Sequence, residues 1–288
     1  MVTLVQLRVI DAVRRLGSVT AAAKELSYTQ PAISHHLSRM EAQLGAQLLQ
    51  RVGRGVRFTA AGRLLADRAA EIIGRVDSAT AELTALVGLD AGRVRLAGFS
   101  SVMSSLAPPA AAILAERHPR LALGLADTHP EEALDLLRAG HVDVAVIFRY
   151  DDTAPEEDGI RLTHLLDDPL YLLTSGGGTR LTDHARTPWI GGCERCRTHL
   201  VDLCERAGFV PTLAYTTDDM VVMQSLVAAG LGVTTIPGLA LRAHRHPAIT
   251  ATRLRVPPRR IYAATYGEPP DPPATAALVS ALAEAAAR

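Results

Sequence analysis

The segment 29–45 constrains this chain more than any other. Apolar side chains Ile33, Leu37, Met40 and Leu44 recur at spacings of 4, 3 and 4, so they fall on one helical stripe that must face a core. Thr29 is placed to cap that helix, Pro31 is tolerated in its first turn because the missing N–H is not needed there, and Gly45 stops it. The opposite side carries Pro31, Ser34, His35, Ser38 and Arg39, which are small or hydrogen-bonding side chains on a cylinder narrow enough for a DNA major groove. Gln30, at the amino-terminal end, can pair bidentately with adenine, whereas His36 lies toward the flank and takes no base-reading role.

The neighbouring segments complete a compact module. Leu4, Leu7, Ile10 and Val13 line one face of a first helix that ends near Gly17. Ser18 caps a short alanine-rich helix over 19–26, whose small side chains admit a close helix neighbour. Residues 51–57 read as a short hairpin with glycines at its tip, where Arg51, Arg54 and Arg57 would grip phosphate or the minor groove and set register without specifying sequence.

Net charge is zero over 288 residues, which taken alone speaks against a polyanionic partner. The distribution reverses that reading. Residues 1–60 hold eight basic and three acidic side chains, an excess of five positive charges that the remaining residues balance. A basic head on an acidic body is the asymmetry expected when one domain meets double-stranded DNA and another does not.

These elements resemble the LysR-type transcriptional regulators. The resemblance rests on residues 17–26, 29–34, Met40 with Glu41, Leu44 with Gly45, and 51–62, all at the family's mutual spacing. It implies that Gln30, Pro31, Ser34, His35 and Ser38 occupy recognition-helix sites, with His35 standing where the family often carries Arg or Lys; the cap Thr29 and the outward Arg39 join them as DNA-contact candidates. It also implies a winged helix-turn-helix, self-association, and RNA polymerase as a further partner.

From 59 to about 87 there is no proline, and Leu65, Ala69, Ile72, Val76, Ala79, Leu83 and Leu86 alternate at spacings of 4 and 3. That heptad seam needs another helix to cover it, either from its own chain or from a second copy. The resemblance favours the second copy, as a homodimer or homotetramer.

Beyond Gly92 strands and helices alternate: strands at 93–98, 121–127 and 142–148, with helices at 102–118 and 130–139 between them. This is a βαβαβ pattern with parallel strands, in which ligands gather beyond the carboxyl ends of the strands. Ser100, Ser101, Thr128 and Arg149 fall there. A second lobe starts near 167, with strands at 170–174, 188–191, 213–217 and 233–236 and helices at 197–207 and 219–229; a last helix, within 270–288, should pack back on the first lobe. By resemblance the layout is a two-lobed α/β effector domain like periplasmic binding proteins, with Cys193, Thr217 and Asp218 facing the cleft from the second lobe. Arg149 beside helix amino termini points to an organic anion as the small-molecule effector.

The expected organisation is therefore α/β overall: an all-α winged helix-turn-helix head at 1–59, a dimerising linker helix at 60–90, and an effector domain at 91–288. Its first lobe takes about 91–163 plus 268–288, and its second about 164–267.

Cys193 and Cys196 sit three residues apart at the start of a helix, where a lowered thiol pKa makes a redox-responsive regulator an alternative reading. A metal site with His199 and Cys204 lacks a matching second pair of ligands, so no metal and no cofactor is expected. An enzyme, or a small-molecule-binding protein without DNA activity, is the competing class. Against the enzyme, the sequence has no Gly-x-Ser-x-Gly, P-loop, Gly-x-Gly-x-x-Gly or His-Glu-x-x-His. Against the pure binder, the first 60 residues would have no purpose. No apolar run approaches the roughly 20 residues that cross a bilayer, and three clustered cysteines suit a reducing compartment, so a cytoplasmic protein without a membrane partner is expected.

Overall fold

A computed structural model of the chain describes residues 1–52, 55–86, 92–150 and 159–288, without the side chains at 51–52, 55, 78, 81–82 and 84–86. The chain divides into two compact units, Met1–Gly92 with Asp135–Asp143, and Arg93–Leu134 with Val144–Arg288.

The first unit begins with α1 (Leu4–Leu16), α2 (Val19–Glu25) and α3 (Gln30–Leu44). An antiparallel ribbon of β1 (Leu49–Val52) and β2 (Gly55–Phe58) follows, then the long α4 (Ala60–Leu86). The hydroxyls of Thr3, Ser18 and Thr29 accept from backbone N–H groups in the first turns of α1, α2 and α3, and Gly17 and Gly45 close α1 and α3 in the left-handed conformation. Ile10, Val13, Ala22, Ile33, Leu37, Met40 and Leu48 form one core. The stripe on α3 stops one turn short of expectation, because Leu44 is exposed and Leu48 fills the core instead. The Glu41 carboxylate holds that turn by accepting from the Leu48 and Leu49 N–H groups at 2.8 and 3.2 Å.

Ala66, Ala69 and Ile73 of α4 complete the same core, with Leu65 partly buried against it. A Cβ on Gly62 would lie 2.0 Å from the Leu48 carbonyl oxygen, so the first turn of α4 reaches its seat only because this residue has no side chain. Gly62→Ala is accordingly expected to cost about 1–3 kcal/mol through backbone displacement, measured as a lower denaturant midpoint with unchanged slope. The expected heptad seam divides in two. Ala69 faces its own chain, whereas Ile72, Val76 and Leu83 are 44%, 38% and 64% exposed. Leu86's side chain lies outside the described residues.

From Arg93 the chain runs through β3 (Arg93–Gly98), α5 (Ser100–Ser105), α6 (Ala107–Arg117), β4 (Ala122–Asp127), α7 (Pro130–Arg138), which belongs to the first unit from Asp135 on, β5 (Val144–Arg149) and β6 (Ile160–Asp168). It continues through β7 (Leu170–Thr174), β8 (Pro188–Gly191), α8 (Glu194–Arg206), β9 (Thr212–Thr216), α9 (Met220–Ala228), β10 (Thr234–Pro237), α10 (Gly238–Ala243) and β11 (Thr250–Arg253). β12 (Arg259–Tyr266) and α11 (Pro273–Ala287) end it. The single helix read over 102–118 is two, since Pro108 and Pro109 lack the N–H groups that would carry α5 onward and instead occupy the first turn of α6.

Strand order in the larger sheet is β4-β3-β5-β12-β6, with β3 parallel to β4 and β5, and β12 antiparallel to β5 and β6. Lobe boundaries drawn at 164 and 267 therefore need correction, because β6 and β12 both belong to the first lobe's sheet. Two leading arginines in β12 break the apolar run by which a buried strand is recognised in sequence. Leu278, Ala281, Leu282 and Ala285 of α11 pack with Ala110, Ile113 and Leu114 of α6, so the last helix does return to the first lobe. The second lobe carries a β10-β7-β11 sheet and the parallel β8-β9 pair, joined through a Trp189–Val233 bridge. Trp189 is fully buried there and donates its indole N–H to the His184 carbonyl at 3.1 Å.

Candidate nucleic-acid interface and effector cavity

The polar side of α3 is open. Thr29, Gln30, Pro31, His35, Ser38 and Arg39 are exposed and Ser34 is half-buried, while Ile33, Leu37 and Met40 point inward. Gln30 donates from Nε2 to the Ser34 hydroxyl at 3.1 Å, which holds its amide along the helix surface. Elsewhere in the head the basic side chains are neutralised: Arg8 pairs with Asp77, Arg14 with Asp67, and Arg15 with Asp11 and Glu25. The Glu25 pairing keeps that carboxyl below its ordinary range. Among the described residues Lys24, Arg39 and Arg57 have no such acidic partner. The cations left over thus lie on α2, α3 and the β1–β2 ribbon. Arg51 is on that ribbon, but its side chain, like all of Arg54, lies outside the described residues.

In the second unit a cavity of about 90 Å³, enough for several waters, lies among β5, β7, β10, β12, α5, α8 and α9. Phe99, Phe148, Tyr150, Leu170, Met220, Met223 and Ile236 make its apolar wall, and Ser100, Ser101, Cys193, Asp218 and Arg259 supply polar groups. A groove of about 1000 Å³ shares His129, Tyr150, Cys193 and Asp218 with it. His129 Nε2 lies 3.6 Å from an Asp218 carboxylate oxygen.

Four of the seven expected effector residues, Ser100, Ser101, Cys193 and Asp218, line the cavity; three do not. Side chains alternate along a strand, so Phe148 and Tyr150 face the cavity and Arg149 between them faces away. Thr128 donates its hydroxyl to Glu132, and the Thr217 hydroxyl accepts from the Asp219 N–H at 3.2 Å, so both serve local turns.

The cation that reaches the cavity is Arg259, which the sequence reading missed. It is 3% exposed and pairs with Asp168, 1% exposed, through Nε and Nη2 at 2.9 and 2.8 Å. Its Nη2 also donates to the Ser101 hydroxyl at 2.7 Å, and its guanidinium lies 4.9 and 4.8 Å from the Phe99 and Phe148 ring centres. The remaining Asp168 oxygen accepts from the Leu239 N–H at 2.9 Å. This charge pair, supported by hydrogen bonds and two aromatic faces, has the completeness that buried ions require.

Residues 88–287 match the LysR substrate binding domain, and residues 4–63 match the bacterial regulatory helix-turn-helix protein of the lysR family. The chain belongs to the LysR family. As a LysR-type protein it is a DNA-binding transcriptional regulator with an effector-binding domain. A probable hydrogen peroxide-inducible genes activator of Streptomyces viridosporus is 30% identical over 253 residues, covering 83% of this chain and 79% of that protein. The regulator TcbR of Pseudomonas sp. strain P51 is 26% identical and covers 95% of this chain and 96% of its own length. Among solved structures, the LysR family regulator CbnR superposes with a TM-score of 0.68 at 24% identity, covering 99% of each chain. No helix among the described residues of this LysR-type regulator is long and apolar enough to cross a membrane.

Proposed function

We propose that this regulator reads its operator with Gln30, Pro31, Ser34, His35, Ser38 and Arg39, Thr29 capping their helix, and grips flanking phosphate with Arg51, Arg54 and Arg57. The observation that carries the reading is the pattern of charge pairing: the α1 cations Arg8, Arg14 and Arg15 are paired with acids of α1, α2 and α4, whereas Lys24, Arg39 and Arg57 have no acidic partner among the described residues. Organisation follows as a head at 1–59, a linker helix at 60–90 and an effector domain at 91–288, with β6 and β12 assigned to the first lobe. Two copies pair through the exposed stripe of α4. The regulator works in the cytoplasm without catalysing a reaction, and RNA polymerase is its further partner.

Its effector is a small, largely apolar molecule with one hydrogen-bond-accepting group. Aromatic and thioether side chains supply most of the wall, and the Arg259 charge is already balanced by Asp168, so a multiply charged anion would find no uncompensated cation there. The Ser100 and Ser101 hydroxyls are the donors to that group, and Asp218 can only accept.

Fluorescence anisotropy on the DNA upstream of its own gene tests the head. Arg57→Ala should weaken binding to specific and random duplexes alike, and should make the slope of log K against log salt shallower by about 0.9 for each copy's lost phosphate contact, about 1.8 for a dimer. An unchanged slope would remove Arg57 from the interface. Gln30→Ala should instead erode the ratio between operator and random DNA, and leave the slope in place.

A further inference from the structure

The cavity wall contains chemistry that neither DNA reading nor effector binding uses. Cys193 follows Gly192 beyond the end of β8 and is the N-cap of the 13-residue helix α8. Cys196 stands at the third position of that helix, and the two sulphurs approach to 3.0 Å without being bonded. Both line the cavity.

The two thiols are unlike. Cys193 reaches the wide groove as well as the cavity. Cys196 lies beneath Tyr150, whose hydroxyl is 3.9 Å from its sulphur and whose ring stacks on His199 at 3.7 Å, one turn further along α8. With Cys193 ionised, the Cys196 S–H and backbone N–H both donate to its sulphur, which lowers the Cys193 pKa to about 6. The same contact, together with burial, pushes Cys196 well above the ordinary thiol range. An accessible thiolate beside a protonated, sheltered thiol is the division of labour that thiol–disulfide exchange needs. Cys204 takes no part: it is buried in a separate core with Trp189 and Leu200, where desolvation raises its pKa to about 11.

We propose that Cys193 and Cys196 are a redox-active dithiol, which low-molecular-weight disulfides oxidise to an intramolecular disulfide and thiols reduce, resetting the wall of the effector cavity covalently. In the first step the Cys193 thiolate attacks one sulphur of the oxidant, forming a mixed disulfide and expelling one thiolate. Cys196 then loses its proton and attacks the Cys193 sulphur, expelling the second thiolate as the Cys193–Cys196 bond forms. Two protein thiols are oxidised and one external disulfide is reduced to two thiols. The proposal concerns the same cavity as the effector reading but stands apart from it, because its test reads sulphur chemistry alone.

The test places the full-length protein in glutathione buffers of graded oxidised-to-reduced ratio, quenches with acid, alkylates with N-ethylmaleimide and maps the peptides by mass spectrometry. Wild type should lose both adducts together and yield a Cys193–Cys196 disulfide that dithiothreitol reverses. Cys196→Ser should stop at a glutathione adduct on Cys193, and Cys193→Ser should react at least tenfold more slowly. Iodoacetamide labelling of wild-type Cys193 should inflect near pH 6 in place of the roughly 8.5 of a free thiol, with Asp218 opposing that shift and His129 assisting it. A persistent Cys193–glutathione adduct in wild type would overturn the proposal. So would labelling that inflects near 8.5, or a protein that stays reduced across the whole series.

Discussion

Arg259→Ala is expected to cost about 3–5 kcal/mol of folding free energy, because it strips the counter-charge from a buried carboxylate. Asp168 is almost wholly enclosed and loses two of its three donors at once, keeping only the Leu239 N–H. For a unit of this size the loss corresponds to a fall of roughly 6–20 °C in Tm. Chemical denaturation should show the same loss, in a transition assigned to the second unit. The double replacement Arg259→Met with Asp168→Leu removes both charges and should recover most of the stability, as other buried ion pairs do when exchanged for apolar groups. If Arg259→Ala alone costs less than 1 kcal/mol, water reaches and screens the pair in solution.

Introducing charge on the exposed stripe of α4 should have the larger effect on function. Val76→Glu places a carboxylate among Ile72, Val76 and Leu83, where a second helix would have to cover it. Sedimentation should report a monomer, and operator affinity should drop by about 10²–10⁴, the gain from linking two half-site contacts. Circular dichroism guards against a trivial result, since Ala66, Ala69 and Ile73, which hold α4 to the head, remain in place. An unchanged oligomer with unchanged affinity would mean that the stripe is covered in some other way. Ile72→Glu should act in the same direction.

Periodicity made the head legible. A 3.6-residue repeat dictates that when Ile33, Leu37 and Met40 go inward, His35, Ser38 and Arg39 go outward, and caps such as Thr29 and Gly45 act on their nearest neighbours. Leu44 marks where that logic ends: it is apolar and in phase, yet it lies on the last turn, beyond the reach of the core. The cavity was harder. Arg149 was correctly placed at the end of its strand but on the wrong face, since an error of one residue in a strand inverts the side. Arg259 was invisible for a different reason. Its partners Asp168 and Ser101 are 91 and 158 residues away, and no local pattern announces a charge whose cost is offset only after the chain has folded. Tyr150 and Cys196 likewise meet across 46 residues.

The chain passes between the lobes twice, at 168–170 and at 253–259. Asp168 ends one passage and Arg259 begins the other on the first lobe's side, directly opposite each other in the β6–β12 register. A joint made of two neighbouring strands, pinned side chain to side chain, resists sliding but leaves rotation about the pin open. A molecule lodged against Arg259 therefore rests where the two passages meet.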